Sequence, residues 1–437
     1  MLCRERPFAT MLIPKRAVLL LLILATATNG QPSGSAGERF QRLRDKVRQA
    51  RSGKDWHANV ESARELARFL NESPESLLEL ARAQVHAGDL DGAVQNVQQF
   101  VRMGQVTGLI ETSDEIAPLR NTASFPQILR GMKENGSAIS RASTAFELHD
   151  AALLAEDVDY DSRGKRFLLT SVREKKIVAA DATGALHDFA KSPDDWPMLA
   201  IKIDSARGVL WATEVALKGF VFAPEADWGK SAVLRYDLKS GKLLRRIEGP
   251  HGSALGDMAL TAKGDAIVSD GEGGGIYRVL ANGDQLERLD AGDFISPQTP
   301  VLHPDGKHVF VPDYVRGIGL LDIATKQVSW LSNEGRFALD GIDGLYFDHG
   351  KLIAVQNGSS PERVVAFTLD ATLSRISAET VIERATESLG DPTHGVVIDQ
   401  KFYYIANSGW DVIDDHGNMR PGAKQSEARV MKFEIKR

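Results

Sequence analysis

Short apolar runs, broken by turn residues, recur along residues 156–357, and their spacing predicts strands rather than helices. Each copy opens on an acidic or polar residue and enters a short apolar strand. An Asp/Gly/Lys turn follows, then a second strand rich in Val, Ile, Leu, Phe or Trp that ends on a polar residue. Five copies turn at Gly164, Gly208, Gly264, Gly306 and Gly350, which are 44, 56, 42 and 44 positions apart. A weaker sixth copy opens at His394 and resumes at Phe402. The long second interval contains an insertion from Gly219 to Lys230. A third strand follows in each copy, at residues 176–181, 232–237, 275–280, 319–323, 363–369 and 429–435. A repeat of roughly 40–50 residues built from short strands is the signature of a β-propeller. One such sheet cannot bury both faces, whereas six arranged radially can. The expected fold is mainly β, a six-bladed propeller over residues 145–437.

Residues 37–134 lack this repeat and show helical spacing instead. Phe40, Leu43, Val47 and Ala50 recur at three and four positions, as do Val60, Ala63, Ala67 and Leu70. Pro74, the turn from Gly88 to Asp91 and the small residue Ala93 resemble a tetratricopeptide helix-turn-helix unit, with an earlier turn at Lys54 to His57. The resemblance implies a small helical domain, either a cap on the propeller or a module that docks a protein partner. Residues 105–140 read as a connector.

Lys15 and Arg16 precede an apolar core from Ala17 to Ala25, the pattern of a secretory signal over residues 1–30. The expected location is therefore periplasmic or secreted, with no membrane span once the signal is cleaved. The one cysteine, Cys3, lies in that segment, so the mature chain is expected to lack thiol and disulfide chemistry. Net charge is −6 with both signs interspersed, and no basic stripe invites nucleic acid. The sequence has no Gly-x-Ser-x-Gly elbow and no cysteine cluster, which disfavours a serine hydrolase and a dedicated zinc site.

In a propeller the innermost strands line a central channel. The residues opening them here are Glu156, Lys202, Asp257, Gln298, Asp343 and His394. Carboxylates converging on one axis repel unless a cation or a shared proton intervenes. Oxygen donors of this kind suit Ca²⁺ first, and Mg²⁺ or Mn²⁺ less well. A second ring is expected from the ends of the second strands, at Glu214, Asp270, Asp313, Asn357 and Asn407. Tyr314, Arg316 and Trp410 lie just beyond their strands as candidate substrate-binding residues at the rim. Arg316 would hold a carboxylate or carbonyl oxygen, or else pair with a surface Asp. His394 is the candidate general base, or else a packing residue bonded to backbone.

The segments 155–161, 256–264, 296–306 and 341–348 resemble the calcium-dependent propeller superfamily of gluconolactonases, regucalcin (senescence marker protein), paraoxonases and strictosidine synthase-like proteins. In that family a Glu opening the first blade, an Asn from the fourth and an Asp opening the fifth hold the metal. Carried onto this chain, these are Glu156, Gln298 in place of Asn, and Asp343. Asp257 stands near a position where the family has Asn. The resemblance implies an exported, metal-dependent hydrolase of lactones or related esters, with Asp257 and His394 in catalytic roles. The competing expectation is a non-catalytic propeller that binds a protein or peptide with help from the helical repeat.

Overall fold

The computed structural model describes residues 34–181 and 183–435. Residues 1–30, read above as a signal, and Cys3 lie outside the described residues. The chain forms a helical layer followed by a six-bladed β-propeller. Among the described residues no helix is long and apolar enough to cross a membrane.

Blade I pairs strands Ala155–Asp161, Arg166–Ser171, Lys176–Ala180 and Leu186–Lys191 in order from the axis outward. Blades II, III and IV repeat this meander from Met198, Leu255 and Val301. Blade V runs from Gly344–Asp348 to Ile376–Arg384 and gains a fifth strand, Ile139–Ser140. Blade VI takes three strands, Gly395–Ile398, Lys401–Ala406 and Arg429–Glu434, from the end of the chain. Its outer strand, Ser143–Glu147, comes from before blade I and pairs antiparallel with Arg429–Glu434. That pairing closes the ring and removes the edge on which an open array would end.

The second strands read as continuous apolar runs because each is buried on both faces. In Arg166–Ser171, Phe167 and Leu169 pack toward blade VI while Leu168 packs toward blade II. In Ala266–Asp270, Ala266 and Val268 face blade II while Ile267 faces blade IV. Six apolar clusters result, one at each junction between neighbouring blades. Alternation along one strand thus feeds two cores, as the period of two requires.

The helical layer contains Ala36–Ser52, Trp56–Phe69, Pro74–His86 and Leu90–Arg102. Ser35 and Glu38 form a reciprocal capping box at the first helix. Asp55 and Asp89 cap the second and fourth helices through Ala58 N and Gly92 N, both at 3.0 Å. The stretch read as a connector is largely helical, with Asp114–Asn121 and Phe125–Asn135 packed under the same layer. Gln105 and Val106 also join it to blade V, through Ser360 N at 3.1 Å and Ser360 O at 2.6 Å.

Three propeller arginines fasten this layer by capping the ends of its helices. Arg316 donates from Nε to Phe69 O at 2.8 Å, at the last residue of the second helix. Arg363, fully buried, donates from Nη1 to Met103 O at 3.3 Å, just past the fourth helix. Arg384 donates to Glu134 O at 3.0 Å and Ser137 O at 3.2 Å around the end of Phe125–Asn135. Helix C-termini carry carbonyls without intrahelical donors and a partial negative charge, so a guanidinium satisfies both. Arg316 is also sandwiched between Phe69 at 4.5 Å and Trp330 at 4.1 Å. Replacing it by Ala removes two charge-assisted hydrogen bonds, the second to Asp293 O at 3.0 Å. The R316A variant is expected to lose about 2–4 kcal/mol of stability in urea unfolding. An unfolding midpoint equal to wild type would show that the layer does not depend on this contact.

Candidate functional site at the channel mouth

A bulge sets the geometry of the mouth. In blades I, II and III the register between first and second strands slips at Ala155/Val158, Met198/Ile201 and Leu255/Met258. Regular pairing resumes at Val158, Ile201 and Met258, and it begins at Gly344 and Gly395 in blades V and VI. The residues just before these points are Asp157, Ala200, Asp257, Asp343 and His394. They occupy equivalent places around the channel. Bulges commonly re-aim a side chain in this way. Sequence reading missed Asp157 because it took Glu156, the first of the two bulge residues, as the opener.

The ring is tightly bonded. Asp157 is 1% exposed and accepts from Lys202 Nζ at 2.6 Å and from Ile201 N at 2.9 Å. Lys202 therefore contributes from two positions further along its strand, where Ala200 holds the equivalent place. Asp257 Oδ1 lies 2.8 Å from His394 Nε2. The contact is an ion pair without well-directed hydrogen-bond geometry at Nε2. The opposite ring nitrogen, Nδ1, lies 3.0 Å from Glu156 O. Asp343 accepts from Asn357 Nδ2, which also donates to Pro392 O at 2.9 Å. Tyr314 donates to Asn357 Oδ1 at 3.0 Å. Its ring sits against Gly358, where a Cβ would fall 2.6 Å from the phenol, so only glycine allows this approach. Glu156 accepts from the indole N–H of Trp410.

Trp410 belongs to a roof made by two loops. Its ring stacks on Phe220 from the blade II insertion, with centroids 5.8 Å apart. Val221 N donates to His416 O at 2.8 Å, and His416 Nδ1 lies 2.9 Å from Gly219 O. The insertion and the loop after Ala406 thus meet across the top of blade I.

The remaining candidates separate from this ring. Gln298 turns its amide onto Ser296, at 3.3 Å to the carbonyl and 3.2 Å to Oγ. Arg316 is committed to the helical layer. The expected second ring is mostly a set of loop fasteners. Asp270 accepts from Ala254 N and Gly273 N, each at 2.8 Å, and Asp313 accepts from Ile295 N at 2.6 Å. Asn407 bonds Ser426 and Glu427 at the outer side, and Glu214 takes Ser192 and Arg246. Asn357 alone in that set reaches a ring carboxylate.

Charge decides what the ring can do. Burial raises the Asp257 carboxyl, and the neighbouring Asp343 and Asp157 charges add to it against the pull of His394. Burial disfavours the His394 imidazolium, yet the Asp257 and Asp343 charges outweigh it and hold the group well above its ordinary value. With His394 and Lys202 cationic, two positive charges face the four carboxylates of Glu156, Asp157, Asp257 and Asp343. Atoms of Glu156, Asp343 and His394 lie within 4.8 Å of one another. Both nitrogens of an imidazolium carry protons, so the carboxylates are the donors suited to a cation. Two oxygens that close fit one Ca²⁺ at bond lengths of about 2.3–2.6 Å.

No protein-family model and no curated protein matches the sequence. Similar solved structures include the PQQ-bound aldose sugar dehydrogenase of Streptomyces coelicolor, at TM-score 0.46 and 15% identity over 68% of this chain and 99% of that one. A gluconolactonase of Xanthomonas campestris is similar at TM-score 0.45 and 12% identity, covering 69% and 97%. Virginiamycin B lyase of Staphylococcus aureus is similar at TM-score 0.43 and 11% identity, covering 68% and 100%. At these identities the likeness is one of fold.

The sign of the His394 shift gives a stability test. The folded chain binds this proton more tightly than the unfolded chain, whose histidine titrates near 6.5. The stabilisation is fully present below about pH 6.5 and is lost as pH rises through the higher folded value. Wild type should therefore lose stability toward alkaline pH more steeply than H394Q in urea unfolding. H394Q alone should cost about 3–5 kcal/mol at pH 6, and H394Q/D257N less than that, because no buried charge is then left alone. Parallel pH profiles for wild type and H394Q would contradict the assignment.

Proposed function

We propose that the channel mouth is the active site of a metal-assisted hydrolase of lactones or related esters. The observation carrying this reading is the Asp257–His394 pair held beside the carboxylates of Glu156 and Asp343. Glu156 and Asp343 would hold a divalent cation, Ca²⁺ by donor type, and such an ion supplies polarisation of a substrate carbonyl. Asn357 and Tyr314 fix the orientation of Asp343, and Trp410 that of Glu156.

The protein groups divide the proton work. Asp257 accepts a proton from water as the water oxygen bonds to the acyl carbon. The acyl C–O bond then breaks, and His394, already an imidazolium, supplies a proton to the departing alkoxide. The high affinity of His394 for its proton makes it the acid of the pair, not the base expected from its position in the sequence. His394 is only 1% exposed, so substrate would need the surrounding groups to move before it reached the imidazole.

The helical layer favours this reading over partner capture. Arg316, Arg363 and Arg384 fasten it to the propeller at three helix ends, which supports its reading as a cap.

Chelated protein should lose activity against a lactone panel and regain it with Ca²⁺. E156Q and D343N should each weaken Ca²⁺ in equilibrium dialysis by at least tenfold, and W410F by less. H394Q should keep Ca²⁺ and lose about 10²–10⁴ in kcat. Wild-type kcat should fall as pH rises through the His394 value above 6.5. A protein that binds no divalent cation, or a lactonase indifferent to chelator, would defeat the proposal.

A further inference from the structure

The first hairpin of blade IV carries a second cluster, at the opposite end of the strands from the mouth. It is built from the segment His303 to His308, in which the chain turns between Val301–Leu302 and His308–Asp313. His303 N donates to His308 O at 2.9 Å, and Gly306 N donates to His303 O at 3.0 Å. Asp305 sits between the two imidazoles. Its Oδ1 accepts from Lys307 N at 2.8 Å and His308 N at 3.1 Å, which fixes the carboxylate within the turn. Its Oδ2 then lies 3.0 Å from His303 Nδ1 and 2.6 Å from His308 Nδ1.

We propose that His303 Nδ1, His308 Nδ1 and Asp305 Oδ2 bind a first-row divalent transition cation, Zn²⁺ by donor type. One ligand atom from each of these residues lies within 4.8 Å of the other two. A tetrahedral ion with bonds of about 2.0–2.2 Å separates its ligands by roughly 3.5 Å, so each of the two Asp305–imidazole contacts would lengthen by under about 1 Å to accept it. Solvent would supply the fourth position, since all three side chains are partly exposed.

Without an ion, Asp305 Oδ2 accepts hydrogen bonds from Nδ1 of both imidazoles, and a cation bound at the same point would displace those protons. On the far edge of His308, Asp322 Oδ2 lies 3.8 Å from Nε2. Once Nδ1 is given to an ion, a carboxylate there is placed to accept the Nε2 proton of the ligating imidazole. The His303 ring is held edge-on by Phe347 at 5.4 Å and Phe310 at 6.1 Å. One ligand is thus preorganised by the junction between blades IV and V.

The nitrogen donors separate this site from the mouth. Imidazole favours Zn²⁺, whereas the carboxylates of Glu156 and Asp343 favour Ca²⁺. The test uses the full chain with E156Q/D343N, which removes the proposed mouth ligands whatever their function. That variant should still bind a single equivalent of Zn²⁺ in calorimetry, and Co²⁺ should give the intense visible absorption of a four-coordinate ion. Adding H303Q/H308Q should weaken Zn²⁺ by at least tenfold. D305N, measured the same way, serves if that variant does not fold. Zn²⁺ affinity unchanged by these substitutions, or no Zn²⁺ binding by the E156Q/D343N chain, overturns the proposal. Lactone turnover is not its readout, so it stands or falls separately from the mouth chemistry.

Discussion

Every blade of this protein needs a neighbour on each face, and that requirement forces the ring to close. The pairing of Ser143–Glu147 with Arg429–Glu434 makes the closure. Without it, the apolar faces that join blades I and VI would meet water. Those faces include Phe146, Leu169, Ile405 and Val430, all buried. Each buried side chain of this size contributes roughly 1.5–3 kcal/mol. The strand thus stabilises by completing two surfaces as well as by its own backbone bonds. Both of those surfaces bound blade I, whose opening residues form part of the mouth.

Closure also has an electrostatic consequence. Equivalent residues from separate blades are brought around one axis, so a repeated acidic position becomes a concentrated negative site. The chain relieves it unevenly. Lys202 meets Asp157 and His394 meets Asp257, while amide and indole donors from Asn357 and Trp410 support Asp343 and Glu156. Neutral donors stabilise a carboxylate without cancelling its charge. His394 lies 2.8 Å from Asp257 Oδ1 and 4.0 Å from Glu156 Oε1, so its positive charge compensates Asp257 more than Glu156. That asymmetry is what the proposed cation at Glu156 and Asp343 would draw on.

The repeat was legible in the sequence because double burial leaves a strong trace. Second-strand runs such as residues 266–268 and 309–311 are apolar throughout, and glycines mark the turns. The closing strand was not legible, since residues 143–147 repeat nothing around them and are defined by a partner nearly 290 positions away. At the mouth, the carboxylates of Glu156, Asp257 and Asp343 were found from their place at strand starts. Asp157 was missed because a bulge lodges two residues where a regular strand has one. Adjacent acidic residues at a strand opening were the available signal for it. Gln298 had the right position by repeat, but Ser296 beside it offers its amide a local partner. Arg316 looked like a rim residue because a hairpin tip normally meets solvent. Only the tertiary fold reveals that Phe69 and Trp330 enclose it.

The fate of Arg316 belongs to a wider logic. A helical layer resting on a propeller must satisfy the carbonyls at its helix ends, since those ends point into the seam. Water could serve there, but the seam also contains apolar groups such as Leu77, Met103 and Ala338, which exclude it. Arginine resolves the conflict, because a long stem crosses apolar surface and its planar head meets carbonyl oxygens. Arg316, Arg363 and Arg384 each do this for a different helix. Three separate anchors on blades IV and V resist rocking of the layer in a way that a single anchor would not. Those two blades also carry Tyr314, Asp343 and Asn357, and Arg316 follows Tyr314 by two positions. The layer is thus attached next to the mouth, since Asn71 bonds Arg316 O and Val106 N bonds Ser360 O, close in sequence to Tyr314 and Asn357.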